Sequence, residues 1–485
     1  MSFEWLQKFL LRVLLLLTVS FAANAQQARS DYQFKLDPKN TQQTFEGWGM
    51  SLSWYGNVIY PGNGKVDDWA TWNTLLETIY GSQGLGFNIV RYNIGGGENP
   101  KFQYLFDYNK PFMIDGFLSP TGQWNWNVDQ GQILMLQKAK ALGANIFEAF
   151  SNSPPYFMLK SESVTGAPYK NDHQDGESGA WDNLRDDQYV NFANYMADVV
   201  LYFRDHYGIE FRTMDPVNEP RPVTQYWTFK QGYPKDKVQE GCHFSVSNQD
   251  RILLESAKAL RARGLATQIS GSDDTGIDLT RTSYLGYSMA TRSVIAQINT
   301  HSYIGGDRTA LKDLAKREGK RLWMSEYGSQ ALGMIGALEL AEHIRADIKV
   351  LGAEAWNIWQ PDWGLMTLDG HNKFTYVKEY WMMKQYSHFI RPGAVILNNA
   401  DWGTLAAFNP NLHNVVMVTL NATSSATSTM DADLSAFGSL AASAQVYYTD
   451  SQHDMVQRLD VPVVGQHIRY QVTPGSVTTV VVQLL

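Results

Sequence analysis

The sequence predicts a (β/α)8 TIM barrel with a C-terminal β-sandwich domain. Short apolar runs alternate with longer amphipathic segments from residue 45 to 391, the apolar runs number eight, and after Arg391-Pro392-Gly393 the helical period gives way to short β-rich runs. Strand–helix alternation of this kind indicates a parallel sheet with crossover helices, and eight units suit a closed barrel with inserted loops. A doubly wound open sheet is the competing fold, but its Gly-rich nucleotide turn is missing.

Residues 1–25 read as a signal peptide. Lys8 and Arg12 flank an apolar run from Val13 to Ala23, and Ala23-Asn24-Ala25 supplies the small-x-small pattern before Gln26. The run is shorter than the ~20 residues of a membrane-spanning helix. The expectation is therefore an exported, soluble mature protein of the bacterial periplasm or medium, with no membrane insertion after cleavage near Ala25. Cys242 stands alone, so no intramolecular disulfide is possible and a catalytic thiolate is not indicated. Residues 26–44 are expected to contribute a strand to the sandwich.

Barrel strands are expected at 45–52, 87–94, 145–150, 211–217, 267–272, 294–300, 321–325 and 353–359, all within a barrel domain of residues 45–391. Amphipathic helices are expected at 129–142, 187–206, 247–263 and 335–351, with Ser247 and Asp250 resembling a capping box. Two long connections, 154–185 and 220–245, leave the carboxyl ends of their strands, the face on which barrels build their sites. They carry Tyr156, Tyr169, Trp181, Tyr226, Trp227 and Phe229, which suit a cleft wall. Residues 392–485 form the sandwich, with strands at 395–398, 405–408, 415–420, 444–448, 467–472 and 478–484, and a hairpin loop around 423–430.

Composition narrows the function. The 485 residues are 13% aromatic, with a formal charge of -8. That balance argues against nucleic acid, whose phosphates require clustered Lys and Arg, and leaves neutral ligands open. No Gly-x-Ser-x-Gly elbow, Walker loop, Cys-x-x-Cys pair or His-Glu-x-x-His occurs. Asp172, His173 and Asp175 cluster without metal-ligand spacing and read as a solvated loop. No organic cofactor or catalytic metal is implied.

Two carboxylates stand out. Glu219 follows Pro216-Val217-Asn218 at one strand end, and Glu326 lies in Trp323-Met324-Ser325-Glu326-Tyr327-Gly328 at another. Two acids facing each other across a barrel mouth are what hydrolysis of a glycosidic bond needs: one protonated to release the leaving oxygen, one ionised to act at the anomeric carbon.

The ordered set Glu46-Gly47-Trp48-Gly49, Asn88-Ile89-Val90-Arg91-Tyr92-Asn93, Ser151-Asn152-Ser153-Pro154-Pro155-Tyr156, Asn218-Glu219-Pro220 and Ser325-Glu326-Tyr327-Gly328 resembles glycoside hydrolase family 30. The segment Gln239-Glu240-Gly241-Cys242-His243-Phe244 is similar to its endo-β-1,6-galactanase branch. The resemblance implies a retaining double displacement with Glu219 as acid/base and Glu326 as nucleophile. It further implies that Asn218 touches the sugar 2-hydroxyl and that Arg91 orients a sugar hydroxyl or the nucleophile. His301 and Tyr303 match the family's His-x-Tyr pair. Trp54, Trp356 and Trp359 are candidate stacking floors, and Tyr156 and Trp227 candidate cleft walls.

The expected partner is a polysaccharide or oligosaccharide, β-1,6-galactan such as arabinogalactan side chains, bound by a monomer. The same chemistry on β-1,6-glucan, xylan (with Arg221 placed to meet a uronic acid) or glucosylceramide stays open, as does a non-catalytic glycan-binding protein.

Overall fold

The computed structural model describes residues 31–62, 65–102, 113–166, 182–221, 229–230, 233–234, 239–329, 331–362, 364–422 and 425–485. Trp181, Tyr169, Tyr226, Trp227, the 172–175 cluster and the proposed signal segment lie outside them.

Eight parallel strands close a barrel: β1 (Gly47–Ser51), β2 (Ile89–Asn93), β3 (Ile146–Phe150), β4 (Thr213–Asp215), β5 (Gln268–Gly276), β6 (Ile295–Ile304), β7 (Arg321–Tyr327) and β8 (Ala355–Ile358). All eight coincide with the apolar runs of the sequence. The barrel closes where β8 pairs with β1, Trp356 opposite Trp48 and Asn357 opposite Gly49. Gly49 is required there, because a Cβ would stand 2.3 Å from Asn357 Oδ1 and 2.5 Å from the Ile89 carbonyl.

Side chains fill the interior in layers. Ile89, Trp323 and Ala355 pack at the floor with Ile146 beside them. One step up, Glu148 Oε1 accepts from Arg91 Nε at 3.0 Å and Asn299 Nδ2 at 3.0 Å, while its Oε2 accepts from Thr213 Oγ1 at 2.7 Å and Gln297 Nε2 at 2.9 Å. A buried carboxylate with four donors is satisfied, and it hands the barrel a polar platform rather than a dry core.

The expected helices appear as Gln130–Ala141, Tyr189–Tyr207, Val246–Ala262 and Gly333–Ala346, the last continuing into a π-helical turn at Asp347–Leu351. The capping-box expectation is corrected. Ser245, not Ser247, precedes the helix, and its hydroxyl donates to Asp182 instead of capping. The described residues of the first long connection make a 3-10 turn at Tyr156–Met158 and a bridge between Leu159 and Leu184.

The C-terminal strands form one curled sheet whose two layers enclose Phe34, Leu397, Val415, Met430, Ile468 and Val480. Asp31–Lys35 joins it in parallel with Ser428–Asp433, and Thr41–Thr44 pairs with Val395–Leu397. Ser428–Asp433 overturns the expectation of a loop through residue 430. Its polar composition hides a strand whose alternate residues Ser428, Met430 and Ala432 are buried. The opposite face of this sheet packs on the barrel, where Gln385 exchanges hydrogen bonds with Thr449 and Thr479. Among the described residues, no helix is long and apolar enough to cross a membrane.

Candidate active site

Chain beyond β4 turns sharply into the barrel mouth. The Asn218 N–H donates to the Ser151 carbonyl at 3.0 Å and the Glu219 N–H to the Asp273 carbonyl at 2.9 Å, clamping the segment between the ends of β3 and β5. Glu219 adopts φ 45°, a left-handed conformation that costs a non-glycine residue of order 1–3 kcal/mol and that the two clamps hold in place. Glu326 reaches the same space from β7, where an irregularity in its pairing with β6 sets it opposite His301.

His301 stands between the two acids. Its Nδ1 lies 3.0 Å from Glu219 Oε1 and 3.7 Å from Glu326 Oε1, and its Nε2 lies 3.2 Å from Asp273 Oδ1. One carboxylate oxygen from each glutamate and one ring nitrogen all fall within 4.8 Å of one another. Arg91 completes the frame from β2. Its Nη1 donates to Glu326 Oε2 at 3.3 Å and to the Ser325 carbonyl at 3.1 Å, its Nη2 to Asp273, and its plane covers the Phe150 ring at 4.4 Å.

These charges decide the protonation states. Burial pushes Glu326 up to about 7, with the charge of Glu219 acting in the same direction, while His301 and Arg91 draw it down. Burial would lower His301, but Glu326 and Asp273 raise it well above the ordinary histidine value. Asp273, despite its burial, is held down at about 2 by Arg91, His301 and Ser325. The site thus holds a charged imidazole and guanidinium against three carboxylates, an arrangement suited to moving one proton between fixed groups. The trio Glu219, His301 and Glu326 has the spacing to hold a metal ion, but both His301 nitrogens already face carboxylates, so a metal would have to displace a hydrogen bond.

The structure brings most of the sequence-predicted residues to this mouth. The Tyr303 hydroxyl donates to Glu326 Oε1 at 3.2 Å from a half-buried position. Asn218 Oδ1 is buried and has no hydrogen-bond partner among the described residues, leaving an acceptor for a ligand hydroxyl. Trp54 and Trp359 meet edge to face at 5.3 Å, and Tyr156 opens the turn after β3, half-buried.

Two expectations need correction. Trp356 is fully buried on the outward side of β8, where its Nε1 donates to Asp347 Oδ2 at 3.1 Å, so it packs the helix layer and cannot floor the cleft. His301 is also wholly buried and faces the two glutamates, not a sugar. Arg91, wholly buried as well, touches Glu326 and not a sugar, the second of the two contacts expected of it.

Other functional residues were not anticipated. Asp273 holds both His301 and Arg91, yet its neighbourhood Ser270-Gly271-Ser272-Asp273-Asp274-Thr275 has the composition of a loop. Only its place at the end of the fifth strand could have signalled it. Glu148, one strand inward, gives no local signal at all.

A family model described as O-Glycosyl hydrolase family 30 matches residues 31–316. The chain belongs to this family. The glycoside hydrolase is 34% identical to an endo-β-1,6-galactanase of Hypocrea rufa, an alignment covering 87% of this chain and 88% of that one. It is 24% identical to an exo-β-1,6-galactobiohydrolase of Bifidobacterium longum, covering 75% of this chain and 28% of that longer protein. A family 30 endoxylanase from Clostridium papyrosolvens superimposes with a TM-score of 0.69 at 20% identity, covering 93% and 99% of the two chains, and shares the fold.

Proposed function

We propose that this family 30 hydrolase cleaves β-1,6-linked galactan internally, with retention, using Glu219 as acid/base and Glu326 as nucleophile. The observation that carries the mechanism is the spacing of the pair. One oxygen of each glutamate lies within 4.8 Å of the other's, which accords with the ~5–5.5 Å carboxyl separation of retaining enzymes better than with the ~6.5–9.5 Å of inverting ones.

The roles follow the family resemblance. Glu326 accepts hydrogen bonds from Arg91 and Tyr303, which favour its ionised form, and the Glu219 carboxyl lies beside His301. Once Glu219 is protonated, its share in raising Glu326 is gone, leaving burial opposed by His301 and Arg91. Glu219 then gives its proton to the departing glycosidic oxygen as Glu326 bonds to the anomeric carbon. In the second step Glu219 takes a proton from water, the hydroxide oxygen bonds to the same carbon, and Glu326 leaves as carboxylate. Asn218 Oδ1 accepts from the sugar 2-hydroxyl, a contact that tightens in the transition state. Tyr156, half-buried, offers flat apolar surface to sugar C–H faces, backed by Trp54 and Trp359, which are 3% and 6% exposed.

The galactan assignment is supported by the two β-1,6-galactan-cleaving relatives and by the likeness of residues 239–244 to that branch. A polysaccharide substrate outside the cell agrees with residues 1–25 acting as an export signal. Product analysis on β-1,6-galactan, β-1,3-galactan, β-1,6-glucan and xylan tests the reading. Oligosaccharides released from β-1,6-galactan with the β-anomer formed first are expected. Cleavage of xylan alone would overturn the substrate, and initial release of the α-anomer would overturn the mechanism.

A further inference from the structure

Another carboxylate at the barrel mouth has no part in the chemistry above. Glu240, 1% exposed, accepts through Oε1 from Trp54 Nε1 at 3.3 Å, from Asn152 Nδ2 at 3.1 Å and from Asn93 Nδ2. Its Oε2 accepts from the Ile114 N–H at 3.2 Å. The four donors come from four separate segments: the short helix after β1, the last residue of β2, the turn after β3, and the stretch beginning at residue 113. All four partners are N–H groups, so only a carboxylate, with acceptors on both oxygens, satisfies them. A glutamine would aim its own N–H2 at another donor.

What these donors have in common is the cleft wall. Trp54 packs with Trp359, Phe150 and Ile114 in one small cluster, and Phe150 carries the Arg91 guanidinium that holds Glu326. Trp54 has no backbone strand of its own to fix its ring. It sits on a helix of six residues, and its indole is anchored from the side by Glu240.

We propose that Glu240 is a positioning residue for glycan binding: it fixes Trp54, 3% exposed, together with Asn152, and so holds the packed wall of Trp54, Trp359, Phe150 and Ile114 that backs the pyranose ring next to the cleaved bond. It acts through Trp54, touches no reacting atom, and governs affinity for the sugar chain more than the chemical step. The inference rests on the reading of this cleft as the β-galactan site.

The test uses the full chain and a β-1,6-galactooligosaccharide that the unaltered enzyme cleaves. A hydrogen bond to a charged group contributes enough that its loss corresponds to roughly 10–100-fold in binding. E240Q is therefore expected to raise KM at least about tenfold with kcat changed by less than about threefold. The same weakening is expected in the oligosaccharide Kd measured in an E326Q background. W54F, which keeps an aromatic ring but removes the N–H, breaks the contact from the other side and is expected to raise KM in the same direction; it decides the matter if E240Q does not fold. The double variant W54F/E240Q is expected to be no weaker than the worse single one, the non-additivity of two groups acting as a unit. Additive losses, or a fall in kcat at unchanged KM, would overturn the proposal. Failure of the unaltered enzyme to cleave any β-1,6-galactan would instead overturn the substrate reading, before any variant is made.

Discussion

His301 Nδ1 lies 3.0 Å from Glu219 Oε1 while its other ring nitrogen faces Asp273, so the proposed acid/base leans on an imidazole that is itself held in place. The positive charge on that ring also lowers the proton affinity of Glu326. H301N removes both effects. Its kcat is expected to fall at least about tenfold. The acidic limb of its pH–rate profile, which reports ionisation of Glu326, is expected to move to higher pH. An unmoved limb would show that His301 does not set the charge of the pair.

Small anions separate the roles of the two glutamates. With azide present, E219A is expected to recover turnover of an activated aryl glycoside and to yield the β-glycosyl azide, because the glycosyl-enzyme still forms on Glu326. E326A is expected to yield the α-azide by direct attack. NMR of the products reads the anomeric configuration, and exchanged outcomes would exchange the two assignments.

Arg91 makes ion pairs with Glu148, Asp273 and Glu326 at full burial. A lysine carries the charge but not the planar fork that reaches three carboxylates. R91K leaves buried charge unpaired and is expected to lose about 3 kcal/mol or more of stability in denaturant unfolding, along with most activity. A loss below about 1 kcal/mol would mean that the network has a neutral alternative arrangement.

Acidification from pH 8 to 5 is expected to stabilise the protein. Burial first, partly opposed by hydrogen-bond donors, pushes Glu98, Glu240, Glu326, Glu354 and Glu379 each up to about 7. The folded chain therefore takes up protons near pH 7 that the unfolded chain accepts only near the ordinary glutamate value of 4.5, and stability falls as pH rises between those values. His301, raised, adds to the same trend, whereas His343, which burial lowers to about 4, and His388, also lowered by burial, oppose it as pH falls below 6.5. Five carboxylates outweigh those two groups. Calorimetry across this range reads the sign directly, and a Tm that drops steadily from pH 8 to 5 would refute it.

The barrel was legible because buried parallel strands are continuous apolar runs, which the sequence displays from Phe45 through Trp359. Glu219 and Glu326 were legible because each terminates such a run. Trp356 misled because strand alternation, invisible in a fully apolar run, sends Ala355 and Asn357 inward and the indole outward. Asp273 and Glu148 were silent for a different reason. Their partners Arg91 and His301 come from other strands, and nothing local marks a residue whose importance is assembled in space. Ser428–Asp433 was missed because a strand with one polar face resembles a turn in composition.

The strands Asp31–Lys35 and Ser476–Gln483 belong to the same curled sheet: Gln33 meets Asp431 across 398 residues of sequence, and Ser476–Gln483 lies between two others in its middle. The catalytic barrel is thus spliced into a β-domain whose strands come from both sides of it in the sequence. During synthesis Asp31–Lys35 must wait, unpaired, until Ser428–Asp433 has been made. Removing Ser476–Gln483 would likewise leave Asn414–Asn421 and Ser443–Thr449 without their shared neighbour, and the sticky edges so exposed would favour aggregation.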